Sequence, residues 1–166
     1  PGRENGYQEP AAGQGQPVDP AEIQRIILGL WERSQTSELA HACAWITSWV
    51  ALTGARGAMV MASELLWKKP GQVEVAVGSY VRCRDSKRGR NRPANLCPSW
   101  RGLLESVGVE RLQQPPQRLR NAASPWDDKP TQDQQRQTEQ ELGAVHGWLW
   151  RELSDEKGLK ADREII

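Results

Sequence analysis

Between Leu39 and Trp67 the chain reads LAHACAWITSWVALTGARGAMVMASELLW, and no other stretch concentrates so much apolar surface. Its first half has the spacing of a helix that is apolar nearly all round. Leu39, Ala42, Cys43, Ile46 and Val50 fall on one face, Trp45, Trp49 and Leu52 widen it, and only Ser37, His41, Ala44 and Ser48 leave a narrow polar or small strip. A helix apolar over most of its circumference belongs in the middle of a packed domain. A membrane-spanning role is disfavoured: the run is short of the roughly 20 residues a span needs, holds His41, Thr47 and Ser48, and is followed by Arg56. Whatever else the chain does, its other elements must cover this helix.

The first covering element has a clear start. Asp19 is placed as an N-cap, Pro20 at the first helical position and Glu22 to complete a capping box, and Ile23, Ile26, Ile27, Leu30 and Trp31 form one stripe of a helix over 20–34. Ser37 caps the central helix, which runs to about Leu52 or Thr53, with Gly54 and Gly57 as places for it to stop. Beyond Gly57 two periodicities compete. Ala58, Met61, Ala62, Leu65 and Leu66 have helical spacing, whereas Lys69-Pro70-Gly71-Gln72 is a type II turn that suits a hairpin. Val73, Val75, Val77, Ser79 and Val81 then alternate as a half-buried strand over 72–82. That strand needs a partner, either 58–67 or a second copy of the chain. The reading adopted is helix for 58–68, with the strand pairing elsewhere.

Ser99 is placed to cap a short helix through Val107, ending at Gly108. Residues 109–130 hold Pro115, Pro116, Pro125 and Pro130 and read as an extended linker over the core. Thr131, with Gln134 as capping-box partner, opens a last helix to Ser154. Its first half is wholly polar and is expected to project into solvent or meet a partner, while Leu142, Val145, Trp148, Leu149 and Leu153 make a docking stripe in the second half. Gly143 and Gly147 beside that stripe would allow another helix to come close. The expected fold is therefore mainly α, or α+β if the strand pairs within the chain. It comprises a disordered Gly- and Pro-rich arm (1–18), a compact helical core domain (19–108), the linker (109–130), the C-terminal helix (131–154) and a flexible charged tail (155–166).

Net charge is only +1, so affinity for a polyanion must come from how charge is distributed. The distribution is uneven. Arg82, Arg84, Lys87, Arg88, Arg90 and Arg92 face only Asp85 within one segment, 82–92, that Gly89, Asn91 and Pro93 keep a loop, and Tyr80 and Trp100 flank it. Closely spaced cations gain on phosphate by counterion release, Arg adds bidentate hydrogen bonding, and aromatic rings stack on unpaired bases. The same run also reads as a nuclear-import signal or as a solvated loop.

Other chemistries find less support. The sequence has no Gly-rich phosphate loop, G-x-S-x-G elbow or H-E-x-x-H, so no catalytic residue, cofactor or enzyme activity is expected. His41, Cys43, Cys83, Cys97 and His146 lack metal-ligand spacing, and no metal site is expected. Three cysteines without short pairing and no run shaped like a signal peptide favour a cytoplasmic or nuclear address over secretion. Trp31, Trp45, Trp49, Trp67 and Trp148 fall on apolar stripes and belong to the core, whereas Trp126 and Trp150, with Leu149, are candidates for a partner interface.

A bias of eight Trp and two Tyr against no Phe is expected either from a purine-rich coding strand, of which compact viral genomes are one source, or from chance in a small helical protein. The stretch Glu141–Leu153, ELGAVHGWLWREL, is faintly similar to part of the Rev proteins of equine lentiviruses, which are RNA-binding export factors. The basic segment here lies upstream instead of on both flanks, and no residue role is carried over. The functional expectation is a non-enzymatic regulatory or accessory protein, viral in origin, that binds nucleic acid, RNA before DNA, through the Arg-rich loop. Its rival is a scaffold that self-assembles through Trp-rich helices, with a homo-oligomer or another protein as partner.

Overall fold

The computed structural model describes residues 19–61, 66–67, 80–84, 91–122 and 130–154, and these are mainly helical. Helix α1 (Pro20–Arg33) starts where Asp19 Oδ1 accepts the Ala21 N–H at 2.9 Å. Glu22, expected to complete a capping box, is drawn instead into an ion pair with Arg25. Helix α2 (Glu38–Thr53) begins with Ser37 Oγ accepting from Ala40 N at 3.2 Å and ends at Gly54, whose φ of 66° lies in the left-handed region that favours glycine.

Ala40, Ala42, Cys43, Ala44, Trp45, Ile46, Ser48, Trp49 and Leu52 are all buried, so α2 is the central helix its sequence demands. The small strip of Ala44 and Ser48 is not its solvent side. It is buried, and Trp31 of α1 reaches Ser48. Val50, at 38% exposed, is the large apolar residue that α2 leaves to solvent.

Of the helix expected over 58–68, Gly57–Met61 forms α3, while 62–65 and 68 lie outside the described residues. Leu66–Trp67 is extended, one of three short segments with Tyr80–Arg84 and Asn91–Asn95 that pair antiparallel in that order. The strand expected over 72–82 finds no support, because 72–79 lie outside the described residues and the extended segment begins only at Tyr80. The described residues are mainly helical.

A single 3₁₀ turn, Pro98–Trp100, leads into α4 (Arg101–Val107), so Ser99 lies inside that turn and does not cap. Gly108 ends α4 with φ 85°. The described part of the expected extended linker is largely helical instead. Val109–Leu112 forms α5 and Gln117–Ala122 forms α6. Leu112 and Leu119 are 1% and 0% exposed, and burying them fixes a segment that proline content alone would leave open.

Helix α7 (Gln132–Ser154) opens with a reciprocal capping box: Thr131 N donates to Gln134 Oε1 at 2.9 Å, and Gln134 N to Thr131 Oγ1 at 3.2 Å. Val145 and Leu153 are buried, with Leu142, Trp148 and Leu149 packed against the core. The polar first half does not project freely. Thr138 is buried and donates its hydroxyl to the Ala122 carbonyl at 2.6 Å, and Glu141 pairs with Arg118, so α6 covers it through hydrogen bonds where apolar contacts are lacking. Among the described residues Gly143 and Gly147 serve no close helix approach within the chain: a methyl on Gly143 would meet nothing within 4 Å, and one on Gly147 only the Arg151 side chain at 3.8 Å. Residues 1–18 and 155–166, expected as arm and tail, lie outside the described residues.

Candidate functional site

Two surfaces come into question, the basic segment and a groove on the helical body. Of the expected loop 82–92, Lys87, Arg88 and Arg90 lie outside the described residues, as does the whole of 85–90. Its ends are not open loop. Tyr80, Arg82 and Arg84 stand opposite Asn95, Pro93 and Asn91 in the antiparallel register, and Arg92 stands opposite Cys83. Such pairing satisfies backbone groups that a free loop would leave to water. The exit is tied to the central helix, because Leu96 is fully buried and Cys97 N donates to Leu52 O, the last turn of α2, at 2.7 Å. Trp100 is half-buried, packs on the core and forms one wall of the groove described next.

The groove, of about 320 Å³, lies over α2. Cys43, Ile46, Thr47, Val50 and Ala51 make its floor, Ile23, Ile26 and Ile27 of α1 one side, and Val145, His146, Leu149 and Leu153 of α7 the other. Arg33 and Glu152 form an ion pair that joins the last turns of α1 and α7. Leu149, expected at an interface, thus faces the groove. Trp150, the next residue, is 46% exposed, and Trp126 lies outside the described residues.

The polar groups of the groove are largely spent. Thr47 Oγ1 donates to the Cys43 carbonyl at 2.7 Å, and burial pushes the Cys43 thiol up to about 12, which keeps it protonated and unreactive. An apolar recess of this kind holds an apolar side chain or molecule.

The buried polar contacts beneath it were not legible as sites. Trp31 Nε1 donates to Ser48 Oγ at 2.9 Å, and Ser48 Oγ to Ala44 O at 2.6 Å. On the Trp31 ring lie His41, at 5.7 Å between centroids, and the Arg111 guanidinium, at 5.8 Å. Burial lowers the pKa of His41. The signal for this cluster was the small strip on α2, whose Ser48 matches the reach of an indole from α1.

Among the described residues no group of three His, Cys, Asp or Glu side chains could hold a metal ion, and no helix is long and apolar enough to cross a membrane. No family, curated protein or solved structure matches this chain.

Proposed function

We propose that this protein is a non-enzymatic, nucleic-acid-binding regulatory or accessory protein of viral type, acting on RNA in preference to DNA. The observation that carries the reading is Arg82, Arg84, Lys87, Arg88, Arg90 and Arg92 set against Asp85 alone, in a chain whose net charge is +1. Several arginines of the helical body have carboxylate partners: Arg25 with Glu22, Arg33 with Glu152, Arg118 with Glu141 and Arg136 with Asp133. Within 82–92 the sequence supplies one acid for six cations, so phosphate is the natural counter-charge. Tyr80 and Trp100 at its two ends are the candidate stacking residues.

Binding to a short single-stranded RNA and to a duplex, followed across a salt series, tests this. Wild type is expected to lose affinity steeply with salt. Changing Arg84, Arg88, Arg90 and Arg92 together to Ala flattens that dependence. Affinity that is weak, salt-independent and unchanged in the variant would sink the proposal.

The groove and the exposed Trp150 favour a second reading, a self-assembling scaffold whose basic segment is incidental. It requires a stable oligomer in sedimentation that dissociates when Leu149 or Trp150 is made polar. A strictly monomeric wild type excludes it.

A further inference from the structure

The polar first half of α7 and the short helix α6 enclose a second recess, open and about 390 Å³ in volume, lined by Arg118, Asn121, Ala122, Gln137, Gln140 and Glu141. Its chemistry differs from that of the apolar groove. The two helices that line the recess are tied together by the Thr138 hydroxyl, which donates to the Ala122 carbonyl. Three exposed carboxamides line it. Gln137 and Gln140, three apart, share a face of α7, and Asn121 faces them from α6. Gln117 Nε2 donates to Asn121 Oδ1 at 2.8 Å, which orients the Asn121 amide and leaves its N–H donors for another group. The side-chain carboxamides of Gln137 and Gln140 make no hydrogen bond among the described residues.

Between the two walls Arg118 is held by Glu141 through both Nε and Nη2, the latter at 3.2 Å from Glu141 Oε2. A guanidinium gripped on two nitrogens presents a fixed flat face.

Carboxamides set their donor and acceptor side by side, as base edges do, and pair bidentately with adenine. A fixed guanidinium plane is a stacking platform for a splayed-out base. The recess is more than twice the roughly 150 Å³ that houses benzene in a protein interior, which leaves room for a base and part of its sugar. Exposed Arg120 stands next to Asn121 on α6 and can meet a flanking phosphate.

We infer that the α6–α7 recess seats one unpaired purine of a single-stranded RNA, stacked on Arg118 and read by Asn121, Gln137 and Gln140. This rests on the RNA reading above and adds to it a base-selective contact distinct from the phosphate-binding segment.

The test uses labelled oligoadenylate and oligouridylate of equal length with three forms of the full chain. Wild type is expected to prefer oligoadenylate. Asn121→Ala, Gln137→Ala and Gln140→Ala combined lose roughly tenfold on oligoadenylate, as removal of a bidentate base contact does, and lose the preference, with the salt slope unchanged. Arg118→Lys keeps the charge but removes the plane, and weakens both oligonucleotides. The carboxamides are exposed and helical, so their change to Ala leaves helix content intact by circular dichroism.

Equal wild-type affinity for the two oligonucleotides, or a preference that survives the triple substitution, overturns the recess inference while the salt-dependent contact of the basic segment stands. Absence of wild-type binding to either overturns both.

Discussion

Trp45 and Trp49 share one acceptor: both indole N–H groups donate to the Leu112 carbonyl oxygen, at 3.0 and 3.2 Å, with the rings 5.7 Å apart. The carbonyl belongs to the last residue of α5, where helical partners run out, so the central helix supplies what α5 lacks. A prediction of non-additivity follows. Trp45→Phe or Trp49→Phe alone leaves the carbonyl one donor, and each costs mainly its own packing. The double substitution strands a buried acceptor, which carries a desolvation penalty of about 1–3 kcal/mol. Urea denaturation of the cycle is expected to show the double variant less stable than the sum of the singles by about 1 kcal/mol. Strict additivity would mean that water reaches the carbonyl.

Ser48 lies fully buried beneath Trp31 and accepts its indole N–H at 2.9 Å. Ser48→Ala removes the acceptor and leaves that N–H without a partner, at about 1–3 kcal/mol. Adding Trp31→Phe removes the stranded donor, so the Ser48→Ala penalty is expected to shrink sharply in that background. Equal penalties in both backgrounds, read from thermal unfolding, would count against the bond.

His41 sets a pH dependence. Burial beside Trp31 holds its pKa below the ordinary 6.5, so between the two values the unfolded chain binds more protons than the folded one. The stabilisation is complete above about 6.5 and is lost as pH falls through and below that value. Wild-type stability minus that of His41→Gln, measured by urea denaturation from neutral to mildly acid pH, is expected to decline with falling pH. A difference that is flat or rises on acidification contradicts the assignment.

Helix α2 was legible because its apolar residues occupy nearly every face, and α1 and α7 because Asp19 and the Thr131–Gln134 pair mark their starts. What escaped was held by contacts without periodicity. The four prolines of 109–130 argue for extension, and only burial of Leu112 and Leu119 against distant parts of the chain, with the two indoles on Leu112 O, makes α5 and α6 worth forming. The polar half of α7 carries no apolar stripe, so its docking through Thr138 and Glu141 depends on α6 partners that no local pattern names. Of the candidate site, the charge of 82–92 was plain in the sequence. The α6–α7 carboxamides were not, since Gln and Asn on a helix surface read as ordinary solvent contacts.

Glycines separate the two kinds of position. Gly54 ends α2 at φ 66°, with nothing within 4 Å of where a Cβ would stand. Gly54→Ala is therefore expected to destabilise by about 1 kcal/mol through backbone strain alone, without a steric clash. Gly143 sits inside α7 with equally open space around it but ordinary helical backbone, so Gly143→Ala is expected to stabilise by up to about 1 kcal/mol through helix propensity. Gly147→Ala should act in the same direction, because its one neighbour is the far end of the flexible Arg151 side chain, at 3.8 Å. Thermal unfolding of the three variants reads the signs. Stabilisation at Gly143 together with loss of an oligomer in sedimentation would show that the glycine serves a partner helix, and would favour the scaffold reading. Stabilisation with the assembly state unchanged leaves α7 to the role that Thr138 and Arg118 give it, docking on α6 within the chain.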